Sequence, residues 1–327
     1  MMKRNKITGL LLFVVFLVTA TFASGNYTEE IRLNGKWKFS IGDDLQWAQP
    51  GLDDADWDVI YAPSRWEEEG FQGYNGYAWY RLKIVVPENF KNRNIYLELG
   101  YIDDVDEVFF NGQKIGQTGT FPPNFSSAYN SFRKYQVPSN LIRFDKPNVI
   151  AVRVYDSQLE GGIVRGNLKL AAGDIAIVPD LSLNGTWNFN IGREVKQNAG
   201  TIIVPGAWEN NGYNNFDGYA VYSKMVDIPA NLADKKLIFL AGRIDDDDQF
   251  YINGQLIGET GDYNGSRNSD RYRDFRNYFI PDGVVKPGKN LLVIKVIDRG
   301  GEGGIIEGNI GFITQDNFIR YWRMKRR

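Results

Sequence analysis

An internal repeat constrains the fold of this chain more than any other feature of its sequence. The second half copies the first with its motifs in the same order, mostly at an offset of about 142 residues. Residues 33–39 (LNGKWKF) match residues 183–189 (LNGTWNF), and residues 102–119 match residues 244–261. Each unit is much longer than the roughly 20 to 50 residues of a solenoid repeat, so each is predicted to be a domain with its own core.

The 327 residues suffice for two such domains. A short connection near residues 172–180 is predicted to separate them, and no long flexible linker is expected. We therefore divide the chain into a signal peptide over 1–23, a first jelly-roll domain over 27–172, a second jelly-roll domain over 178–314 and a basic C-terminal tail over 315–327.

The N-terminus has the three parts of a secretory signal peptide. Basic residues precede an apolar stretch over residues 10–20, and small residues surround a predicted cleavage site after Ala23. The apolar stretch is shorter than the roughly 20 residues of a membrane span. We expect an exported protein, periplasmic, at the cell surface or extracellular, with no membrane span after cleavage. An uncleaved signal anchor is the alternative.

Short alternating segments bounded by turn residues predict β-strands in both units. Residues 81–86 alternate in polarity and end at Pro87. Asn-Gly pairs at 111–112 and 253–254 indicate β-hairpins, because both central residues of a type I′ turn need positive φ. The sequence has no long segment with the periodicity of an amphipathic helix. Its aromatic residues, 14% of the total, need sheets to pack on. The predicted fold class is all-β, with two tandem jelly-roll β-sandwiches.

The chain contains no cysteine and no histidine, which removes whole classes of chemistry. A Ser-His-Asp triad, a cysteine nucleophile, an ordinary zinc site and disulfide bonds are all excluded. Carboxylates, Lys, Tyr, Ser and Thr remain for catalysis.

Charge is nearly balanced at a formal net value of −2, with both signs scattered along the sequence. Binding of nucleic acid is therefore not expected. The exception to the scatter is the C-terminal tail, whose last eight residues include five Lys or Arg. This tail could touch acidic glycans or membrane headgroups, but a frayed chain end is the favoured interpretation.

Three motifs follow one another in the first unit: GYAWYR at 76–81, an acidic strand leading into Asn-Gly and a further Gly at 104–116, and NVIAVRV at 148–154. Their order resembles the jelly-roll, galactose-binding-like sugar-binding domain of family-2 glycoside hydrolases, such as β-galactosidases and β-glucuronidases. The second unit departs from the first motif, with Val221 in place of the Trp and Ser223 in place of the Arg.

The resemblance implies that the reaction of that family takes place in a separate (β/α)₈ barrel with two glutamates. Such a barrel typically needs ~250 residues. We therefore expect two sugar-binding modules without the barrel, and so a non-catalytic carbohydrate-binding or accessory protein. Its partner would be a carbohydrate or a carbohydrate-active enzyme. The alternatives are a carboxylate-based glycoside hydrolase or its accessory subunit, and a structural protein whose sandwiches dock a partner chain.

Two acidic runs, DDVDE at 103–107 and DDDD at 245–248, have three interpretations. One is a structural calcium site, since calcium takes several carboxylate oxygens. Its candidate ligands are Asp103, Asp104, Asp106, Asp245, Asp246 and Asp248. A second is a glycosidase pair, because alternating residues of a strand share a face and could place Asp104 beside Asp106. The favoured interpretation is a turn at the start of a strand. No other cofactor is expected.

Aromatic side chains occur in loops rich in Gly and Asn, where rings can stack on sugars while polar groups bind hydroxyls. The candidate ligand-binding residues are Glu67, Phe71, Tyr74, Tyr77, Asn210, Tyr213, Phe216 and Tyr219. For Trp66, Tyr80 and their counterparts, packing between the sheets is the favoured interpretation. The Glu-Gly-Gly segments at 160–162 and 302–304 are predicted to be bends between strands.

Overall fold

The structure is a computed structural model that describes residues 27–265 and 270–326. The predicted signal peptide lies outside the described residues. The strands of the first unit are β1 (Glu29–Arg32), β2 (Gly35–Ile41), β3 (Asp58–Ala62), β4 (Gly76–Val85), β5 (Arg93–Asp103), β6 (Val105–Phe110), β7 (Gln113–Thr118), β8 (Phe132–Val137), β9 (Pro147–Asp156), β10 (Gly162–Arg165) and β11 (Lys169–Ile175).

The second unit repeats this series with one additional short strand. Its strands are β12 (Leu181–Ser182), β13 (Gly185–Ile191), β14 (Gly200–Val204), β15 (Gly206–Ala207), β16 (Gly218–Ile228), β17 (Leu237–Asp245), β18 (Asp247–Ile252), β19 (Gln255–Thr260), β20 (Phe275–Phe279), β21 (Gly288–Asp298), β22 (Gly304–Glu307) and β23 (Gly311–Thr314). Its helices are α1 (Ala230–Ala233) and α2 (Gln315–Lys325). Short 3₁₀ turns cover Leu45–Ala48, Trp66–Glu69, Glu88–Phe90, Ser139–Leu141, Glu209–Asn211 and Asp270–Arg273.

Each unit is a sandwich of two antiparallel sheets, and corresponding strands take corresponding places. In the first unit the sheets have the orders β1-β11-β5-β10, with β8 also paired to β5, and β3-β2-β4-β9-β6-β7. In the second unit the orders are β12-β23-β17-β22-β15, with β20 paired to β17, and β14-β13-β16-β21-β18-β19. The repeat in the sequence is thus a repeat of a complete sandwich, and the predicted all-β class is confirmed.

The two sheets of each unit enclose a separate hydrophobic core. In the first unit, Trp37 of β2 and Leu97 of β5 belong to one fully buried cluster, and in the second, Trp187 of β13 and Phe239 of β17 do the same. The indole Nε1 of Trp37 donates a hydrogen bond of 2.9 Å to the carbonyl of Leu33, and Trp187 repeats this bond. Burying the ring while pairing its one donor explains why the Leu-Asn-Gly-x-Trp motif recurs.

The Glu-Gly-Gly segments are bends whose first glycine makes room for a buried indole. A Cβ on Gly161 would lie 2.0 Å from the Trp66 ring, and one on Gly303 would lie 2.5 Å from the Trp208 ring. Both indoles are fully buried, as are Tyr80 and its counterpart. The predicted packing of these rings between the sheets is therefore confirmed.

The Asn-Gly hairpins also have the predicted form. Asn111 and Gly112 have φ values of 50° and 83°, and the second hairpin repeats both values. The side-chain amide of Asn111 donates a hydrogen bond of 2.8 Å to Oδ1 of Asn148, which links the hairpin to the start of β9. Two motifs of the resemblance are therefore joined by one side-chain contact.

Side-chain hydrogen bonds connect the two sandwiches. The hydroxyl of Tyr96 donates to Oε1 of Glu307 at 2.9 Å, and Oε1 of Gln136 accepts from the backbone N–H of Gly308 at 3.0 Å. At a second point, Nδ2 of Asn214 donates to Oγ of Ser126 at 2.7 Å. The connecting segment runs between Ile175 and Leu181, and the domain boundaries given above remain a prediction.

The C-terminal segment differs from the frayed end that its charge suggested. Residues Gln315–Lys325 form α2, whose residue Tyr321 is buried and whose Phe318 ring lies 6.1 Å from that of Phe279. Nδ2 of Asn317 donates a hydrogen bond of 2.6 Å to Asp180. The apolar residues between the basic ones hold this segment as a helix on the second sandwich.

Candidate functional site

The same end of each sandwich gathers three carboxyl groups. In the first unit, Asp103 ends β5, Asp104 lies between β5 and β6, and Asp156 ends β9. These residues form the first acidic cluster, in which each offers a carboxylate oxygen and all these oxygens lie within 4.8 Å of one another. Asp245, Asp246 and Asp298 form the second acidic cluster by the same criterion.

In the first acidic cluster the three carboxyl groups have different surroundings. Asp104 accepts hydrogen bonds from the hydroxyl of Ser127 and from the N–H and hydroxyl of Ser157, the latter two at 3.0 and 2.7 Å. Burial alone would raise the pKa of Asp104, but these donors outweigh it and the pKa lies below its usual value. For Asp103, burial and the contact with Asp104 raise the pKa to about 7.

Asp156 is the most enclosed member of that cluster, with an exposed fraction of 1%. Its Oδ1 accepts from the N–H of Gln158 at 3.2 Å, whereas its Oδ2 meets no hydrogen-bond donor among the residues that the structure describes. Burial raises the pKa of Asp156 to about 7, and the nearby charges of Asp104 and Glu67 act in the same direction.

The second acidic cluster repeats this arrangement. Oδ2 of Asp246 accepts from the N–H of Arg299 at 3.0 Å. Asp298, also 1% exposed, accepts from the N–H of Gly300 at 3.0 Å through Oδ1, and its Oδ2 has no donor within the described ranges. Burial raises the pKa of Asp298, and burial together with Asp246 raises the pKa of Asp245 to about 7. None of the six cluster carboxylates forms an ion pair with a described Lys or Arg.

Asp106 and Asp248, two of the six predicted calcium ligands, lie outside these clusters, and this part of the prediction is corrected. Asp106 is fully buried and pairs with Nε of Arg133 at 2.7 Å and with the hydroxyl of Tyr135 at 2.5 Å. Asp248 pairs in the same way with Arg276 and Tyr278. Because side chains alternate along a strand, these two point into the sandwich. There an arginine from the opposite sheet of the same unit pairs with each of them.

The same burial bears on the glycosidase interpretation. A carboxylate that attacks or protonates a glycosidic bond must contact the substrate. Asp106 has no exposed surface and its oxygens are occupied by Arg133 and Tyr135, so Asp104 and Asp106 cannot act as such a pair.

Asp156 and Asp298 were not among the predicted ligands, although the sequence held a signal for them. Each ends a strand and lies four residues before the Glu of a Glu-Gly-Gly bend, at matching positions of the two units. Their closeness to Asp104 and Asp246 depends on the pairing of β9 with β6 and of β21 with β18, which joins segments about 50 residues apart.

Glu67 and its counterpart Glu209 lie beside the clusters. Both oxygens of Glu67 accept from the N–H of Gly161, at 3.2 and 3.3 Å, and Oε2 of Glu209 accepts from the N–H of Gly303 at 3.2 Å. Burial raises the pKa of Glu209. Both glutamates therefore hold the glycine bends in place.

Four of the predicted ligand-binding rings pack against the hydrophobic cores. Phe71 lies 4.8 Å from the ring of Phe39, and Tyr74 lies 5.6 Å from that of Trp66. In the second unit, Tyr213 lies 4.7 Å from Phe189 and Phe216 lies 5.1 Å from Trp208. All four are half-buried and close the end of a core.

Tyr77 and Tyr219 are also half-buried, and both contact arginines. The guanidinium of Arg153 lies 4.7 Å from the ring of Tyr77 and 4.4 Å from that of Phe121, and these two rings stack on each other with centroids 5.9 Å apart. The guanidinium of Arg193 lies 3.7 Å from the ring of Tyr219. These ring faces are covered by cations within the same unit.

Asn210 lines a pocket of about 360 Å³ where the two units meet. We refer to it as the asparagine pocket. Its lining residues are Thr118, Gly119, Ser127, Ala128, Asn130, Ser131, Glu209, Asn210, Asn214 and Asn215. Hydroxyl and amide groups dominate its surface, and Ser127 connects it to the first acidic cluster.

A groove of about 490 Å³ also runs between the units, and we call it the inter-unit groove. Its side-chain walls include Tyr27, Asn94, Tyr96, Lys134, Ile175, Phe275, Asn277, Glu307, Asn309, Tyr321, Trp322 and Lys325. Phe275 and Trp322 are 54% and 40% exposed, so parts of both rings are available to a ligand. Nothing in the sequence placed these residues together, because they come from both units and from α2.

Comparison with known proteins points to one family. Over 142 residues the chain is 32% identical to the β-galactosidase BoGH2A of Bacteroides ovatus, covering 40% of this chain and 16% of that protein. Over 152 residues it is 25% identical to a β-glucuronidase of Formosa agariphila, covering 42% of this chain and 14% of that protein. This chain is related to part of a family-2 glycoside hydrolase. The resemblance drawn from the sequence motifs is therefore confirmed.

Family-2 glycoside hydrolases also occur among the solved structures with similarity to this chain. A Bacteroides uniformis β-glucuronidase is 18% identical, with a TM-score of 0.38, over 82% of this chain and 28% of that chain. A family-2 member from Bacteroides cellulosilyticus is 14% identical, with a TM-score of 0.38, over 83% of this chain and 32% of that chain. No family model matches the sequence. The chain spans about a sixth of the length of the curated relatives that it matches.

Among the described residues, no helix combines the length and apolar character that crossing a membrane requires.

Proposed function

We propose that this protein is an exported, non-catalytic carbohydrate-binding module that binds its glycan in the inter-unit groove. The observation that carries this proposal is the combination of half-exposed aromatic rings and amide side chains in one concave surface. Sugars present C–H faces that pack on aromatic rings and hydroxyls that need hydrogen-bond partners, and this groove offers both.

The apolar part of the groove comes from the second unit and α2. The ring of Trp322 lies 6.1 Å from Phe318 and 5.2 Å from Tyr321, so neighbouring rings hold it in position on the helix. Phe275, at the start of β20, supplies the other half-exposed ring. Rings fixed in this way lose little conformational entropy when a ligand binds.

The polar part comes from both units. Asn94 of β5 and Asn277 of β20 line the groove from opposite sandwiches, and the pair formed by Tyr96 and Glu307 crosses between them. A ligand in this groove would contact both units at once. The relation to family-2 glycoside hydrolases supports a carbohydrate as that ligand, because β-galactosidases and β-glucuronidases act on glycans.

A glycan array with the mature protein, followed by affinity electrophoresis in the retained polysaccharide, tests this proposal. Trp322→Ala and Phe275→Ala should each weaken retention about tenfold, the equivalent of one stacking contact. Tyr129→Ala is the matched control, because this ring is 59% exposed and lies outside the groove. Unchanged retention in both groove variants would refute the groove as the site.

One further variant, Asn210→Ala, distinguishes the asparagine pocket from the groove, and an activity assay tests the enzyme alternative. Loss of retention in Asn210→Ala, with retention kept in Trp322→Ala, would place the ligand in the asparagine pocket instead. Turnover of a panel of chromogenic glycosides would contradict a non-catalytic role. Export is tested by mass spectrometry of the mature N-terminus, which we expect to follow Ala23.

A further inference from the structure

The two acidic clusters each bring three carboxyl groups together without pairing them to a basic side chain in the described part of the chain. Each cluster places three carboxylate oxygens within 4.8 Å of one another. Elsewhere in the same sandwiches, buried carboxylates such as Asp106 and Asp54 are paired with arginine. Within the described residues, the clusters thus differ from these arginine-paired carboxylates.

A second observation concerns one oxygen in each cluster. Asp156 and Asp298 are both 1% exposed, and in each of them Oδ2 has no hydrogen-bond donor among the described residues. A buried carboxylate oxygen without a partner destabilises the folded state by the cost of removing it from water. The same unpaired oxygen occurs at the same place in both units, which indicates a shared requirement at this position.

We propose that each acidic cluster binds one divalent cation of the calcium class, giving two ions per chain. Calcium binds oxygen ligands at about 2.3–2.6 Å, so two ligand oxygens of one ion can be up to about 5 Å apart. The oxygens of each cluster satisfy this limit. A bound ion supplies the missing partner of Asp156 Oδ2 and of Asp298 Oδ2, and water completes the coordination.

The donor set favours calcium over other metals. All three ligands are carboxylates, which suit hard cations, whereas zinc and copper favour histidine nitrogen and cysteine sulfur, and this chain has neither residue. Magnesium demands a nearly ideal octahedron with metal–oxygen distances of about 2.0–2.1 Å, and calcium accepts irregular sites. At the position after the strand-ending Asp, the first cluster has Ser157 and the second has Arg299.

Isothermal titration of the chelator-treated mature protein with calcium chloride tests this proposal, with magnesium chloride as the comparison. We expect two calcium ions per chain, one ion in Asp156→Asn, one in Asp298→Asn and none in the double variant. Asp227→Asn is the matched control, because Asp227 is exposed and lies outside both clusters; it should retain two ions. Asp103→Asn, at a less buried position, repeats the test of the first cluster if Asp156→Asn fails to fold.

Two results would overturn the proposal. One is the absence of calcium binding up to about 10 mM, which is above the range of weak extracellular calcium sites. The other is unchanged stoichiometry in correctly folded Asp156→Asn and Asp298→Asn proteins, which would place the ions elsewhere. Neither measurement involves a glycan, so failure of the carbohydrate proposal leaves this test intact.

Discussion

Nε of Arg133 donates a hydrogen bond of 2.7 Å to Oδ1 of Asp106, and both side chains are fully buried. The pair joins β8 of one sheet to β6 of the other across the sandwich. The hydroxyl of Tyr135 occupies the second oxygen of Asp106, so the carboxylate is satisfied on both sides. Arg276 and Asp248 form the same pair at 2.9 Å in the second unit.

Replacing Asp106 by Asn should destabilise the first sandwich strongly. The substitution keeps the size of the side chain but leaves the buried guanidinium of Arg133 without a counter-charge, which typically costs about 3–5 kcal/mol. Urea denaturation measures the change in the free energy of unfolding. Asp227→Asn, an exposed change of the same chemical kind, should leave this free energy within about 0.5 kcal/mol of the original. Equal effects of the two substitutions would contradict the structural role of the ion pair.

Gly116→Ala should also destabilise the first unit, through a clash with the same network. A Cβ at this position would lie 2.0 Å from the ring of Tyr135, whose hydroxyl would then be displaced from Asp106. Overpacking of this kind costs about 1–3 kcal/mol. Gly51→Ala is the control, because a Cβ there has no described atom within 4 Å. A melting temperature of Gly116→Ala equal to that of the control would show that Tyr135 has room to move.

Tyr74→Ala should lower stability and leave glycan retention unchanged in protein that is still folded. The ring lies against Trp66 at 5.6 Å, and its hydroxyl donates a hydrogen bond of 2.7 Å to the carbonyl of Tyr77. Losing a half-buried ring should cost about 2 kcal/mol, less than the 3–5 kcal/mol of a fully buried one. Thermal unfolding and affinity electrophoresis report the two effects separately. Lost retention at an unchanged melting temperature would mean that Tyr74 contacts the ligand.

In a chelator, the protein should lose stability as the pH rises from about 5 to 8. Asp103, Asp156 and Asp245 have folded-state pKa values of about 7, raised from 3.8 chiefly by burial. A raised carboxyl pKa contributes stability that is full below about pH 4 and is lost as the pH passes 7, because the folded state holds the proton more tightly. The chain has no histidine to oppose this trend.

Urea denaturation at several pH values in the presence of EDTA checks this direction. The combined variant Asp103→Asn with Asp245→Asn should flatten the dependence, since two of the three groups no longer titrate. A free energy of unfolding that rises between pH 5 and 8 in the original protein would contradict the raised pKa values.

The Asn-Gly hairpins and the buried tryptophans could be predicted from the sequence because their causes are local or nearly so. Positive φ at Asn111 and Gly112 follows from their own side chains, and the alternation of residues 81–86 is sufficient to predict a strand. The burial of Trp66 between the sheets was also predicted, since tryptophan side chains are on average highly buried.

The sites were less predictable, and Asp106 shows why. Its place in an acidic run suggested a ligand, but its partner Arg133 lies 27 residues away on the opposite sheet. Conversely, Asp156 lies 52 residues beyond Asp104 and reaches the cluster only through strand pairing. Trp322 belonged to a segment that its charge marked as a tail, and its ring lines the groove only because α2 packs on the second sandwich.

The amino-acid sequence by itself determined the duplication, the all-β class and the relation to family-2 glycoside hydrolases, because periodicity, turn chemistry and the order of motifs are all written along the chain. The tertiary structure decided which carboxylates meet, which are neutralised by arginine and which rings line the inter-unit groove. These relationships depend on contacts between residues far apart in sequence, and a side chain's charge or aromaticity does not specify the neighbour that it acquires on folding.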